Sequence, residues 1–306
     1  MEQGVGFQSE IRPELTINLG QGFSGQVAET RKPLFIQHIE YTDDGHSYPV
    51  DLEAEGIVSF YALPLSAKGN LKGVLQLYSR SKLEPDQDWF DFAEALAGQG
   101  AVSVDNIMLF VELEEANEGL LKAYDATIEG WAHALELRDQ ETEGHSQRVV
   151  GLSLLLAKEF GFDDQELAHL RRGILLHDIG KMAIPDKILH KPGPLTEDEW
   201  TVMRQHPVFA YEMLKEIDYL KPALDIPHFH HERWDGSGYP EGLKGEEIPL
   251  VARIFAVVDI WDALTSDRPY RGAWSQEKTR QYLRDQAGKE LDPEIVRVFL
   301  ALIDGD

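Results

Sequence analysis

Ile174-Leu-Leu-His177-Asp178-Ile-Gly-Lys181 is the stretch on which the rest of the chain turns. Apolar residues lead into a helix interior and end on two adjacent polar side chains. An unpaired imidazole or carboxylate in such a place is costly, so a partner is implied. A metal ion is one candidate, held by a neutral nitrogen and an anionic oxygen. A capped helix end with a satisfied histidine is the other, and for an isolated His-Asp pair it is the simpler reading. The residues around the stretch decide between them.

The 306 residues exceed one ordinary core and fit two domains with a connector. A hydrophobic content of 42% is that of a globular protein. No apolar run reaches the length of a membrane span, and the start, MEQGVGFQSE, is too polar for a signal peptide. Cysteine is absent, which excludes disulfides, thiolate-bound zinc and Cys-bound iron–sulfur clusters, and suits a reducing cytoplasm, the expected location. The net charge of −25 repels nucleic acid duplexes and anionic membranes, so neither DNA binding nor membrane insertion is expected. An anionic substrate would need local positive charge from Lys, Arg or metal ions.

Residues 1–95 read as a small α/β domain. Leu15-Thr-Ile-Asn-Leu19 alternates like a strand, Gly20 to Gly25 is a turn, and Val27 to Thr30 is a short helix. Pro33-Leu-Phe-Ile36, Phe60-Tyr-Ala-Leu-Pro-Leu65 and Gly73-Val-Leu-Gln-Leu-Tyr78 read as strands. Lys68-Gly69-Asn70 supplies a hairpin-type turn between the last two. The Gly-rich segment lacks the acidic residue that a dinucleotide loop would place on a ribose, so it is read as a turn only. The succession of Gly20-x-Gly22-x-x-Gly25-x-Val27, Arg31-Lys-Pro-Leu34, Leu63-Pro-Leu65 and Gly73-Val-Leu-x-Leu77 resembles a GAF domain. The resemblance implies a sensory or dimerising module with an antiparallel sheet and flanking helices. The usual first helix and opening strands have no counterpart, so the chain is expected to begin inside the domain. Its ligand, if it has one, is not legible: there is no cysteine for a bilin and no motif of the cyclic-nucleotide-binding members.

From Asp88 to about Arg138 the pattern turns helical, with residues 96–122 as a linker. A heptad frame places Ile107, Glu114, Leu121, Ile128 and Leu135 at a, and Phe110, Asn117, Tyr124, Trp131 and Arg138 at d. The first half predicts a helix that pairs with its twin in a homodimer, where a buried Asn can fix register. The second half predicts packing into the chain's own core.

The part from Ala123 holds nine of the eleven histidines. Glu141 and His145 stand at i and i+4, which on a helix is one face. His177 and Asp178 follow. His206 precedes Pro207 at a break between helical stretches. His230 and His231 stand ahead of Glu232-Arg-Trp-Asp-Gly-Ser-Gly-Tyr-Pro240, and Asp259 ends the run Ile254-Phe-Ala-Val-Val. These eight groups offer only N and O donors, which suits iron, manganese or zinc, and they are too many for one ion.

Together these motifs resemble the HD superfamily of metal-dependent phosphohydrolases, and the segment from His230 to Pro240 carries the signature of its HD-GYP branch. Lys191-Pro-Gly-Pro-Leu-Thr196, Asp262-Ala-Leu-Thr-Ser-Asp-Arg-Pro-Tyr-Arg271 and Leu291-Asp-Pro-Glu-Ile-Val296 extend the likeness over residues 123–306. It implies an all-α helical bundle behind the linker helix, and a phosphodiesterase that cuts cyclic di-GMP to pGpG and/or GMP. It also implies His177, Asp178, His206, His230, His231 and Asp259 as ligands of divalent metals, with Glu141 and His145 adding a third metal. Iron is the expected filling, with manganese as the other choice. Paired metals suit a phosphodiester because they activate water and clamp phosphate oxygens. Lys181 is expected to offset charge on the non-bridging oxygens, and Arg268 and Arg271 to reach phosphates or guanines. Gly238, Tyr239 and Pro240 are expected to shape the substrate pocket and to offer a contact for a signalling partner. Asp262 is read as a support rather than a ligand, and Arg148 as paired with a nearby carboxylate. Two rivals stay open: hydrolysis of another cyclic dinucleotide such as 3′,3′-cGAMP, and binding of a dinucleotide or partner without cleavage.

Overall fold

A computed structural model describes residues 4–8, 17–40, 51–139, 144–267 and 272–305. The chain divides into two compact units, Met1–Gly119 and Leu120–Asp306. Among the described residues no helix is long and apolar enough to cross a membrane.

The first unit opens with α1 (Gly22–Thr30), followed by β1 (Leu34–Ile36), β2 (Ser59–Ala67) and β3 (Asn70–Ser79). The strands pair antiparallel in the order β1-β2-β3. β2 alternates between two apolar layers, as period-2 side chains must. Phe60 and Ala62 join Val27, Ile39 and Ile57 on one side, while Tyr61 and Leu63 meet Ala93 and Ala97 on the other. The expected hairpin forms, with Lys68 and Gly69 both at positive φ (49° and 81°), the backbone of a tight turn matched to strand twist. Two expectations change. Residues 17–19 are irregular rather than strand, and residues 15–16 lie outside the described residues. The expected turn at Gly20–Gly25 becomes helix from Gly22 onward; Gly25 allows this, since a Cβ there would stand 2.4 Å from the Asn18 carbonyl oxygen.

α2 (Gln87–Asp139) is a 53-residue helix whose residues to Gly119 belong to the first unit and from Leu120 to the second. Ile107 and Phe110 are 65% and 59% exposed, whereas Ile128 and Leu135 are buried, as expected for its second half. Tyr124 and Trp131, on the same seam, stay partly exposed.

The second unit is helical among its described residues: α3 (His145–Glu159), α4 (Asp164–Leu175), α5 (Asp186–Leu189), α6 (Glu197–Met203), α7 (His206–Leu214), α8 (Asp225–Phe229), α9 (Leu250–Thr265), α10 (Gln276–Gln286) and α11 (Pro293–Asp304). Capping boxes at Asp163/Glu166 and Thr196/Glu199 start α4 and α6 by satisfying orphan amides. One core joins Ile128, Val149, Leu156, Ile174, Phe255, Val258, Ile295 and Phe299. The charged side chains described next line its edge.

Candidate metal centre

α4 ends at Leu175, and His177 and Asp178 occupy the turn that leads into a 3-10 segment, Ile179–Ala183. Gly180 brings this segment against the start of α7: a Cβ there would stand 1.9 Å from the His206 carbonyl oxygen and 2.6 Å from the Ala210 nitrogen. The glycine therefore sets the approach of Asp178 to His206, the first residue of α7. His230 and His231 follow α8 directly. Ligand atoms of Asp178, His206, His230 and His231 all lie within 4.8 Å of one another.

The imidazoles are aimed by backbone. Nδ1 of His177 donates to the Ile174 carbonyl (2.7 Å), that of His206 to Met203 (2.8 Å), and that of His230 to Ile226 (3.0 Å). A carbonyl only accepts, so each Nδ1 carries a proton and each ring turns Nε2 toward Asp178. Nε2 of His206 and of His230 then face each other at 3.3 Å. They stand 3.3 Å and 3.7 Å from Asp178 Oδ1, a buried oxygen that accepts no aligned hydrogen bond among the described residues. Two imidazole nitrogens and a carboxylate oxygen converge on one buried spot, an arrangement that a bound cation would satisfy. The donor set and its arrangement fit a divalent metal ion.

Electrostatics agree with ligand-ready protonation states. Burial pushes His206 down to about 4, with the Asp178 carboxylate only partly opposing it. Burial, then the imidazoles of His230 and His206, hold His231 well below its ordinary value. Burial alone would raise the Asp178 carboxyl, but the Lys181 ammonium and the His177 ring outweigh it and hold it well below the usual carboxylate range. Lys181 Nζ lies 2.7 Å from Asp178 Oδ2 and 2.6 Å from Asp139 Oδ2.

A second group adjoins the first through His145, whose ring centroid is 5.9 Å from that of His177. Its Nε2 is 3.5 Å from Asp259 Oδ1, and its Nδ1 is 2.8 Å from Asp262 Oδ2. Phe255, Asp259 and Asp262 share one face of α9, and Phe255 packs on the His177 ring at 4.9 Å. Arg148 grips Asp262 through Nε (2.6 Å) and Nη2 (2.9 Å), the carboxylate pairing expected of it. Burial would raise Asp262, but the bonds from His145 and Arg148 take it down to about 2. Asp262 thus orients His145 rather than joining the cluster. His145 opens α3 directly after Gly144, which takes φ 74°. Glu141, Arg268 and Arg271 lie outside the described residues.

The loop after the doublet folds onto its own backbone. A Cβ on Gly238 would stand 2.4 Å from the Arg233 nitrogen and 2.6 Å from the His231 carbonyl oxygen, so only glycine fits. The Tyr239 ring lies 4.8 Å from His231, and the peptide to Pro240 is cis. Burial pushes the Tyr239 hydroxyl up to about 12, with the Asp178 charge adding to it. Sequence reasoning missed three residues here. Buried Glu232 accepts from the amides of Glu241 (2.7 Å), Gly242 (3.0 Å) and Leu243 (3.0 Å), which holds the loop closed. An acid directly after the histidine doublet and ahead of a Gly-rich loop was the available signal. Arg204 stands 5.8 Å over both Trp200 and Tyr239 and forms no ion pair among the described residues. Its place two residues before His206 could have flagged it. Asp139, which holds Lys181, gave no sequence signal.

Residues 131–295 match the HD domain family and residues 2–105 the GAF domain family. The chain belongs to the HD-domain family, with a GAF domain ahead of it, and both resemblances read from the sequence are borne out. The cyclic di-GMP phosphodiesterase response regulator RpfG of Xanthomonas campestris pv. campestris is 44% identical over 176 residues, covering 57% of this chain and 47% of its own. The cyclic di-GMP phosphodiesterase of Thermotoga maritima is 43% identical over 169 residues, covering 55% and 46%. The 3′3′-cGAMP-specific phosphodiesterase 2 of Vibrio cholerae is 38% identical over 201 residues, covering 65% and 37%. The chain thus spans less than half the length of each of these relatives.

Proposed function

We propose that the chain is a metal-dependent phosphodiesterase that hydrolyses cyclic di-GMP to pGpG, GMP or both. The observation that carries this reading is the dry cluster of Asp178, His206, His230 and His231, with inward-facing nitrogens around a carboxylate oxygen that has no aligned hydrogen bond. The relatives named as cyclic di-GMP phosphodiesterases support the substrate. His177, Asp178, His206, His230, His231 and Asp259 would hold the metals, with Glu141 and His145 completing a trinuclear site filled by iron or manganese. Bound there, divalent ions supply Lewis acidity and an activated water.

The chain's own residues do the rest. The Nδ1 bonds fix the orientation of the His177, His206 and His230 rings. Lys181 places an ammonium beside Asp178 where charge grows on the phosphate oxygens. Arg204 offers an uncommitted guanidinium over aromatic faces, the chemistry that suits a phosphate or a guanine. Arg268, Arg271, Gly238, Tyr239 and Pro240 would complete the pocket. The domains proposed are a GAF sensor at 1–95, a linker at 96–122 and an HD-GYP phosphodiesterase at 123–306, acting in the cytoplasm. The exposed run Ile107–Val111 on α2 supports pairing with a second copy, because every side of that turn is apolar.

The test is product analysis. Anaerobic protein loaded with Fe(II) or Mn(II) is incubated with cyclic di-GMP, and the nucleotides are separated beside a chelated control. pGpG or GMP in the loaded sample alone supports the proposal. No product at full loading overturns it, and 3′,3′-cGAMP is then tried, because the Vibrio cholerae relative is named for that substrate.

A further inference from the structure

We propose that Asp139, the last residue of α2, is a positioning residue for Lys181. This rests on the phosphodiesterase reading, in which the Lys181 ammonium serves the reacting phosphate. A lysine ammonium is a compact charge on a flexible four-carbon stem, and it goes wherever the nearest anion draws it. Here two carboxylates compete for it at nearly equal distance. Asp139 Oδ2 lies at 2.6 Å and Asp178 Oδ2 at 2.7 Å, with all three side chains largely buried. Asp178 turns its other oxygen toward His206 and His230, so Lys181 is confined to the edge away from them. Asp139 supplies a second anchor, so the ammonium is shared between two carboxylates rather than held by Asp178 alone.

The preceding residue fixes the backbone of the same turn. Arg138 donates through Nη1 to the Met182 carbonyl (2.7 Å), and through Nη2 to the Ile184 carbonyl (2.9 Å) and Asp186 Oδ1 (2.9 Å). Two consecutive residues at the end of one long helix thus lock the main chain and the side chain of the segment that carries Lys181. A shift of the last turn of α2 reaches the Lys181 ammonium through the Asp139 carboxylate and its backbone through Arg138.

The experiment is a double-mutant cycle on the full chain with D139N, K181M and the double variant. Turnover of cyclic di-GMP, bound metal, and acylation of Lys181 by a water-soluble active ester read by mass spectrometry are measured together. D139N is expected to lower kcat roughly ten- to a hundredfold, the worth of a charge-assisted hydrogen bond, with KM and metal content held. The double variant is expected to be no worse than K181M, and Lys181 to be acylated faster in D139N. Asp139→Glu, which keeps the charge with a longer reach, should fall between D139N and the parent, and it serves if D139N does not fold. Multiplying effects, loss of metal in D139N, or unchanged kcat with unchanged acylation would overturn the proposal. A parent protein that turns over nothing defeats the phosphodiesterase reading instead, and the acylation comparison still decides the role of Asp139.

Discussion

Gly180→Ala is the sharpest test of how the site is assembled, because it needs no substrate. The new Cβ would stand 1.9 Å from the His206 carbonyl oxygen, against 3.4 Å for ordinary contact, and 2.6 Å from the Ala210 nitrogen. Both obstacles are backbone atoms near the start of α7, so no rotamer change relieves them. The turn after Asp178 and the start of α7 must separate by more than an ångström. Overpacking costs about 1–3 kcal/mol when side chains can adjust, and a backbone clash belongs at or above the top of that range. For a unit the size of Leu120–Asp306, a 3 kcal/mol loss lowers Tm by roughly 6–12 °C. Gly130→Ala in α2 is the control: nothing lies within 4 Å of its Cβ, and helix propensity alone should add about 0.8–1 kcal/mol. Melting is followed by tryptophan fluorescence, which reports this unit through Trp131, Trp200, Trp234, Trp261 and Trp274. Metal content is measured in parallel, because parting Asp178 from His206 should empty the cluster. A G180A protein with an unshifted Tm and full metal would show that this close approach does not fix the turn.

Asp178→Ala should abolish both metal loading and turnover, checked by elemental analysis and nucleotide chromatography; either one surviving refutes the site. Glu141→Ala should remove one metal per chain and leave a smaller centre, so an unchanged metal count ends the trinuclear proposal. Glu232→Gln puts an amide N–H against backbone N–H donors and should cost roughly 1–3 kcal/mol in denaturant unfolding, with turnover reduced as the loop loosens. Arg148→Met tests the Asp262 pair in acid. A carboxyl held near 2 in the fold stabilises fully above its unfolded value and loses that contribution as pH falls through its folded value. The metal-free variant should therefore be less stable at pH 6 and show a flatter stability profile between about pH 4 and 2; a profile parallel to the parent's would refute the pairing.

The cluster was legible because its members come as neighbours in sequence. His177-Asp178 and His230-His231 announce themselves at helix ends, and the hairpin at Lys68-Gly69 announces itself by turn chemistry. What failed were inferences that assume an unbroken element. The expected turn over Gly20 to Gly25 passes into helix at Gly22, which the glycine spacing alone does not reveal. Leu15 to Leu19 alternates over too few residues to specify a strand. The roles of Glu232 and Asp139 were missed for another reason. Their partners, the amides of Glu241 to Leu243 and the ammonium of Lys181, arrive only when the loop closes or the helices pack.

The three Nδ1 bonds explain why this binding chemistry needs so little dedicated machinery. Ile174 sits in the last turn of α4, Met203 ends α6, and Ile226 lies in α8. Carbonyls at helix C-termini lack intrahelical donors and must be satisfied by something. At Met203 the His206 ring does it, while the carbonyls of Ile174 and Ile226 accept a ring Nδ1 in addition to a backbone amide; in all three the bond turns Nε2 toward Asp178. The partial negative charge of each helix end also favours a cation nearby. At Met203 helix termination, backbone satisfaction and ligand aiming are thus one interaction. A substitution such as His206→Ala therefore removes more than a donor atom: it also strands the Met203 carbonyl. That is why metal loss in such variants should come with a stability loss that added metal cannot reverse.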